Sequence, residues 1–138
     1  MIDREELMKR ADEAFDRDDY ETAASVYSSI IAFQPDDPRA LQGRGAARHQ
    51  MGLYEEALSD YTLALKFDPK NESLFFNIGL CHDLLGRTVD ADAWFSRAIE
   101  LNPEYALALY ARANTRSELK RFHDAVRDYE EADRIGFD

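Results

Sequence analysis

Three histidines and one cysteine are the side chains of this chain best suited to bind a metal or to act as a nucleophile. His49, His82 and His123 lie far apart in the sequence, without the short spacing that metal ligands usually share. Cys81 directly precedes His82, but neighbouring residues on a helix point to different faces, so we expect a small buried cysteine. These residues predict no catalytic group, no metal site and no cofactor.

Glycine spacing also fails to indicate a nucleotide site. Gly43 and Gly45 begin as a dinucleotide-binding fingerprint would, but no strand precedes them and a helical pattern surrounds them. The sequence contains no phosphate-binding loop, no calcium-binding loop and no H-E-x-x-H motif. We therefore predict that the protein is not an enzyme.

Composition and charge exclude several kinds of partner. The chain has 138 residues, 45% of them hydrophobic, and a net charge of -11, which repels nucleic acid and anionic lipid. No apolar run approaches the roughly 18 residues of a spanning helix, and the acidic start of the chain is unlike a signal peptide. A lone cysteine suits a reducing compartment. We expect one cytoplasmic domain, with no nucleic-acid and no membrane partner.

A repeat of 34 residues organises the chain. Small, aromatic and proline positions recur in one register, in the columns Ala11/Gly45/Gly79/Ala113, Ala23/Ala57/Ala91/Ala125, Tyr27/Tyr61/Phe95/Tyr129 and Pro35/Pro69/Pro103. The repeats run 4–37, 38–71, 72–105 and 106–138. Each contains two stretches of helical periodicity, which in the second repeat are Arg39–Met51 and Tyr54–Phe67, divided at Gly52.

These columns resemble the tetratricopeptide repeat family over nearly the whole chain. The second repeat matches the family pattern at Leu41, Gly45, Gly52, Tyr54, Ala57, Tyr61, Ala64 and Pro69. The resemblance implies an all-α fold, an α-α superhelix (tetratricopeptide solenoid) of eight helices in four antiparallel pairs. Two columns depart from the pattern, with arginine at Arg10, Arg44 and Arg112 in the first and at Arg48 and Arg116 in the second.

Both ends of the array carry charged residues where internal repeats carry apolar ones. In the first repeat this face reads Glu6, Arg10, Glu13 and Arg17, and in the last repeat Asp133 replaces an apolar residue. Gly136 is suited to end the last helix, and Phe137 is expected to pack on its final turn. We expect a complete domain of four repeats, a monomer or a weak homodimer, with Val126 and Ile135 only partly covered.

The resemblance further implies a concave groove lined by the first helix of each repeat. Carried over position by position, the family's ligand-facing columns give as the peptide-binding groove Met8, Asp12, Arg39, Gln42, His49, Phe76, Asn77, Leu80, Leu84, Leu107, Tyr110 and Asn114. The first helix of the third repeat is apolar all round, which favours a binding site for a partner at Phe76, Leu80 and Leu84. The alternative is that these side chains cover one another. Gly43 either leaves room for a ligand backbone or has no purpose.

The function that these features favour is a non-catalytic adaptor that binds a peptide or helix of a partner protein. Residues 1–37 hold four basic and eleven acidic side chains, so the partner segment is expected to be apolar and possibly basic. The pattern lacks the cations with which related co-chaperones hold acidic tails. A small acidic chaperone resembling those of type III secretion systems, which hold translocator proteins, and a self-associating scaffold are the alternatives.

Overall fold

Helices make up almost all of the protein. A computed structural model of the chain describes residues 3–136, and over that range it contains eight α-helices and no strand. Each helix has 13 or 14 residues. In chain order they are α1 (Arg4–Asp16), α2 (Tyr20–Phe33), α3 (Pro38–Gln50), α4 (Tyr54–Phe67), α5 (Glu72–Leu84), α6 (Thr88–Leu101), α7 (Ala106–Glu118) and α8 (Phe122–Ile135).

The helix boundaries follow the repeat in the sequence. First helices begin at residues 4, 38, 72 and 106, and second helices at 20, 54, 88 and 122, so every element recurs after 34 residues. The two helices predicted for the second repeat agree with α3 and α4 to within one residue. Three residues separate the helices of each pair, which suits antiparallel neighbours. The predicted all-α fold of four helix pairs is confirmed.

Short polar signals begin and end these helices. The side chains of Asp3, Asp19, Asp37 and Asn71 accept hydrogen bonds from backbone N–H groups in the first turns of α1, α2, α3 and α5. Gly52 separates α3 from α4 with a φ of 79°, a left-handed conformation that costs glycine little. Gly136 ends α8 in the same region, as predicted. Phe137, expected to pack on that turn, lies outside the described residues.

The chain divides into two compact units, Met1–Pro69 and Lys70–Asp138, each of two repeats. The core of the first unit contains Met8, Tyr27 and Ile30 with small residues between them. The core of the second unit contains Phe76 and Phe95, packed among Ala91, Ala98 and Ala108. Cys81 is fully buried, as predicted.

Close contact between an aromatic ring and a glycine sets the spacing of the helices within a pair. A Cβ atom on Gly45 would lie 2.7 Å from Cε1 of Tyr61, and one on Gly79 would lie 2.6 Å from Cδ1 of Phe95. Each ring therefore occupies the space that a methyl group would need. This repeat position needs a small residue because α3 and α5 each lie directly against an aromatic ring of the second helix in their pair.

Four of the five arginines that depart from the family pattern, all except Arg10, form ion pairs with a buried carboxylate. In the second repeat, Arg44 donates to both carboxylate oxygens of Asp60 at 2.8 and 3.1 Å, and Arg48 donates to the same carboxylate at 2.9 Å. The Asp60 side chain is 4% exposed. Arg44 also donates to the Ser28 hydroxyl at 3.2 Å, which links α3 to the preceding repeat. A charged contact thus takes the place of an apolar one.

The same arrangement recurs 68 residues later, in the second unit. Arg112 donates to both oxygens of Asp128 at 2.7 and 2.8 Å, and Arg116 donates to that carboxylate at 3.1 Å. Arg112 also donates to the Ser96 hydroxyl at 3.1 Å. Each two-repeat unit therefore carries one pair of arginines on one buried aspartate, in its second repeat.

The polar ends expected of the array are exposed in each unit. The charged residues that form this end in the first repeat lie in solvent: Glu6, Arg10 and Glu13 on α1, and Arg17 directly after it. Asp133 lies in solvent on α8. Val126 is 51% exposed. None of the helices described between residues 3 and 136 is long and apolar enough to cross a membrane.

A methyl group at Gly79 should destabilise the protein. Alanine normally favours a helix over glycine by about 1 kcal/mol, but the Phe95 ring is fully buried and cannot move away. We expect Gly79→Ala to lower the free energy of unfolding in urea by about 1–3 kcal/mol. Ser59→Ala, an exposed change on α4, is the control and should leave it unchanged or slightly raised. Stabilisation by Gly79→Ala would contradict the packing.

Removal of the charge on Asp128 should be far more costly than removal of a surface charge on the same helix. Asp128→Asn leaves Arg112, whose side chain is 15% exposed, without its carboxylate, and removes one of the two carboxylates that Arg116 contacts, the other being Asp92 at 3.0 Å. We expect a loss of about 3 kcal/mol in the free energy of unfolding.

The matched control is Asp124→Asn, because Asp124 is 36% exposed and pairs with Arg121 at 3.2 Å. It should cost less than about 1 kcal/mol. Equal losses from the two variants would show that burial of the Asp128 pair does not matter.

Candidate functional site

The predicted groove residues divide between the two units, and each unit is described by itself. In the first unit they lie on α1 and α3, and in the second on α5 and α7. The structure places the twelve side chains in different environments, from fully buried to half-exposed.

Asp12 is the best-connected of the predicted residues in the first unit. Its carboxylate accepts a hydrogen bond from the Tyr27 hydroxyl at 2.5 Å. It also forms an ion pair with Arg39, whose Nη2 donates to it at 2.9 Å. Burial of Tyr27 and its hydrogen bond to Asp12 raise the pKa of this phenol, so it remains a donor at neutral pH. Three helices thus meet at one carboxylate, and the Asp12 and Arg39 charges neutralise each other in part.

The structure explains why position 43 is a glycine, in a way that neither interpretation of the sequence considered. A Cβ atom at this position would lie 2.4 Å from Cζ of Tyr27, so the glycine makes room for that ring between α1 and α3. It serves packing within the unit rather than the approach of a ligand backbone.

Met8 is a correction to the predicted groove. Its side chain is 1% exposed and lies in the core of the first unit with Ala11, Ala14 and Ala40. The side chain packs between α1 and its neighbours and therefore offers a partner almost no surface.

A shallow cavity of about 260 Å³ lies on the α1 side of the first unit. Four carboxylates and two cations line it beside Met8: Glu5, Asp12, Glu13, Asp16, Lys9 and Arg39. The cavity therefore has an excess of negative charge, as the composition of residues 1–37 suggests.

Gln42 and His49 on α3 are half-buried. The His49 ring lies edge-on to Tyr54, with ring centroids 5.3 Å apart. Burial lowers the pKa of His49, so the imidazole is neutral at neutral pH. At neutral pH the side chain therefore contributes a polar rather than a charged surface.

Phe76 is the second correction. It is 6% exposed and packs against Phe95 and Tyr105, with ring centroids 5.6 and 5.4 Å apart. Leu80 is half-buried against the same cluster. The alternative interpretation of the apolar helix, that its side chains cover one another, holds for Phe76 and in part for Leu80.

Three predicted apolar residues of the second unit remain open to solvent. Leu84 is 51% exposed, Leu107 46% and Tyr110 40%. Leu107 and Tyr110 lie one turn apart on α7, and the Tyr110 ring meets the edge of Tyr129 at a centroid distance of 5.5 Å. Asn77 on α5 is half-buried, and Asn114 on α7 is exposed.

Asn114 is held by a residue that the sequence prediction missed. The Tyr129 hydroxyl donates a hydrogen bond to the side-chain carbonyl oxygen of Asn114. Tyr27 and Tyr129 share one column of the repeat, as do Asp12 and Asn114. The signal was present in the sequence, as a polar residue 15 positions before a tyrosine in the first and fourth repeats only.

The described residues show no arrangement typical of a metal site. No group of three or more His, Cys, Asp or Glu side chains between residues 3 and 136 is placed to hold a metal ion. The side chains on the first helices instead offer apolar area, amides and carboxylates, which suit contact with another polypeptide.

Comparison with known sequences identifies the repeat. Three profiles described as tetratricopeptide repeat match residues 38–71, 72–105 and 94–127. The human protein O-mannosyl-transferase TMTC3 is 34% identical over 94 residues, which are 67% of this chain and 10% of that protein. Small glutamine-rich tetratricopeptide repeat-containing protein 2 of Mycosarcoma maydis is 26% identical over 83% of this chain and 33% of its own length. The chain spans a third or less of these relatives.

Solved structures share the fold. MamA from Desulfovibrio magneticus RS-1 superposes with a TM-score of 0.90 at 17% identity, over 96% of this chain and 75% of that one. The tetratricopeptide domain of Arabidopsis OM64 has a TM-score of 0.79 at 24% identity, over 82% and 93% of the two chains. At these identities the likeness concerns the fold.

A second ion pair, besides that of Asp12 with Arg39, connects α1 to the start of α3 in the first unit. Arg4 Nε on α1 donates to Asp37 Oδ2 at 2.5 Å, and the other oxygen of Asp37 caps α3 through the Arg39 and Ala40 N–H groups. Burial alone raises the pKa of Asp37, but these hydrogen bonds outweigh it, and the net pKa lies below its ordinary 3.8. The charged carboxylate therefore stabilises the helix that carries Arg39.

The contribution of Asp37 should disappear in acid. Because its pKa is lower in the folded state than in the unfolded chain, its stabilisation is present above the ordinary pKa and is lost as the pH falls through the folded value. Asp37→Asn keeps a cap but loses the ion pair. We expect the gap in unfolding free energy between wild type and Asp37→Asn to be widest near pH 7 and to narrow below about pH 4.

Urea unfolding at several pH values measures this gap. The control is Asp19→Asn, since Asp19 caps α2 through the Thr22 N–H. A gap for Asp37→Asn that stays constant from neutral to acid pH would show that the charge of Asp37 contributes nothing.

Proposed function

Because the chain belongs to the tetratricopeptide repeat family, we propose that it is a non-catalytic adaptor that binds a peptide or helix of a partner protein. The partner lies on the first helices of the repeats, in the concave groove that the family resemblance predicts. No catalytic step and no cofactor enter this function.

The observation that carries the proposal is the exposed apolar surface of the second unit. Leu84, Leu107 and Tyr110 leave between 40% and 51% of their area in solvent, although Phe76 nearby is covered by its own unit. We call these three residues the apolar surface. Large apolar side chains that remain in solvent on α5 and α7 favour a binding site.

Charge supports a basic character in the partner segment. The cavity of the first unit has twice as many carboxylates as cations, and the whole chain carries a net charge of -11. Opposite charges accelerate association and disfavour acidic partners. A partner segment that carries lysine or arginine therefore suits the charge of this chain better than an acidic tail does.

Polar groups on the same helices would fix the position of the segment. In the second unit, Asn77 on α5 and Asn114 on α7 offer amide groups. Asp12 and Arg39 already engage each other. We therefore propose that Asp12 and Arg39 set the charge of the surface and do not hydrogen-bond the partner directly.

Leu84→Glu and Leu107→Glu should each abolish most of the binding. Peptides are first selected with the wild-type protein from a phage-displayed library of random dodecapeptides, and their dissociation constants are then measured by fluorescence anisotropy. Burial of a leucine side chain is worth about 1.5–3 kcal/mol, so each variant should weaken binding by about 10-fold or more.

Val89→Glu is the matched control, because Val89 is an apolar side chain 71% exposed on α6, outside the apolar surface. It should leave the affinity within a factor of about two. Selected peptides that bind the leucine variants as well as the wild type would place recognition elsewhere. If light scattering instead shows oligomers that Val126→Glu dissociates, self-association through α8 replaces the adaptor function.

A further inference from the structure

One column of the repeat brings a second-helix hydroxyl to the predicted binding face. Asp12 and Asn114 occupy the same position of the first and fourth repeats, and each accepts a hydrogen bond from the tyrosine 15 residues later. In the third repeat the corresponding residues are Leu80 and Phe95. In the second repeat they are Ala46 and Tyr61, so a polar side chain accompanies the tyrosine in the first and fourth repeats only.

A ring contact and a hydrogen bond hold Tyr129 against α7. Its ring meets the edge of Tyr110 at a centroid distance of 5.5 Å, and its hydroxyl points to Asn114 on α7. Burial raises the pKa of Tyr129 above its ordinary 10.0, so the hydroxyl keeps its proton at neutral pH. Asn114 itself is exposed.

The chemistry of an amide then determines what Asn114 can offer. A side-chain amide has one carbonyl oxygen and one NH₂ group with two donors. When the Tyr129 hydroxyl donates to the oxygen, the NH₂ group is not used in that contact, and the residue that carries it is exposed. An exposed NH₂ group beside Leu107 and Tyr110 is suited to donate to a carbonyl oxygen of a bound chain.

We propose that Tyr129 is a positioning residue of the binding surface, which holds the Asn114 amide so that its N–H donors face a backbone carbonyl of the bound segment. The inference rests on the proposed function and makes it more specific. Carbonyls in the body of a helix are already hydrogen-bonded within it. The donor at Asn114 therefore favours a segment that is extended where it contacts α7.

A double-mutant cycle with the full chain tests the role of Tyr129. The probe is a peptide selected from the dodecapeptide library whose affinity falls with Leu107→Glu. Tyr129→Phe keeps the ring but removes the hydroxyl, and should weaken binding by about 5-fold, as expected for one hydrogen bond. In an Asn114→Ala background the same change should have no further effect, because the two residues act through one contact.

A second variant separates donor orientation from general packing. Asn114→Asp has nearly the same shape but offers only acceptors, and should weaken binding by about 10-fold or more. Tyr20→Phe is the control, since the Tyr20 hydroxyl donates to Asp18 at 2.8 Å in the same way but outside the binding surface. It should leave the affinity unchanged.

The outcomes distinguish this inference from the proposed function. If no selected peptide is sensitive to Leu107→Glu, the proposed function is wrong and the inference falls with it. If such peptides exist but bind Tyr129→Phe and Asn114→Asp as well as the wild type, only the inference is wrong. An effect of Tyr129→Phe that persists in the Asn114→Ala background would show a purely structural role and would also overturn it.

Discussion

The contact between an aromatic ring on each second helix and the first helices is the constraint on which the rest of the structure depends. Tyr61 and Phe95 fill the space left by Gly45 and Gly79, and Tyr27 fills the space left by Gly43. These contacts fix how closely the helices approach. Because a tyrosine ring carries a hydroxyl at its far end, the same column also reaches the predicted groove residues Asp12 and Asn114. One packing position thus connects the core of a unit to the chemistry of its surface.

The buried ion pairs show a second way in which this chain holds its helices together. Where the family pattern has an apolar side chain, Arg44 and Arg112 each bind a carboxylate that a second arginine also contacts. Such an arrangement costs desolvation, which the paired geometry offsets only when every partner is present. Its recurrence after 68 residues matches the division into two compact units. In both units the charged cluster also reaches a serine of the preceding repeat, so it contributes to packing between repeats.

The sequence was sufficient to predict the fold, because the columns that recur every 34 residues resemble those of the tetratricopeptide repeat family. It was less informative about which groove residues are accessible. Met8 and Phe76 occupy ligand-facing columns, yet both are buried, since the depth of a side chain depends on how its neighbours pack. The column alone does not encode that depth. Leu84, Leu107 and Tyr110 are exposed, but that they bind a partner remains a prediction. The roles of Tyr27 and Tyr129 needed the structure, because a hydroxyl at the end of a packed ring has no separate signal in hydrophobic periodicity.

The central claim is that a partner segment binds to the first helices of the second unit. The most direct measurement is an NMR titration of the isotope-labelled protein with a peptide selected by the wild type. We expect the largest chemical-shift changes at Leu84, Leu107, Tyr110 and Asn114 on α5 and α7. Changes confined to the exposed side of α6 or α8, around Val89 or Val126, with α5 and α7 unaffected, would contradict it.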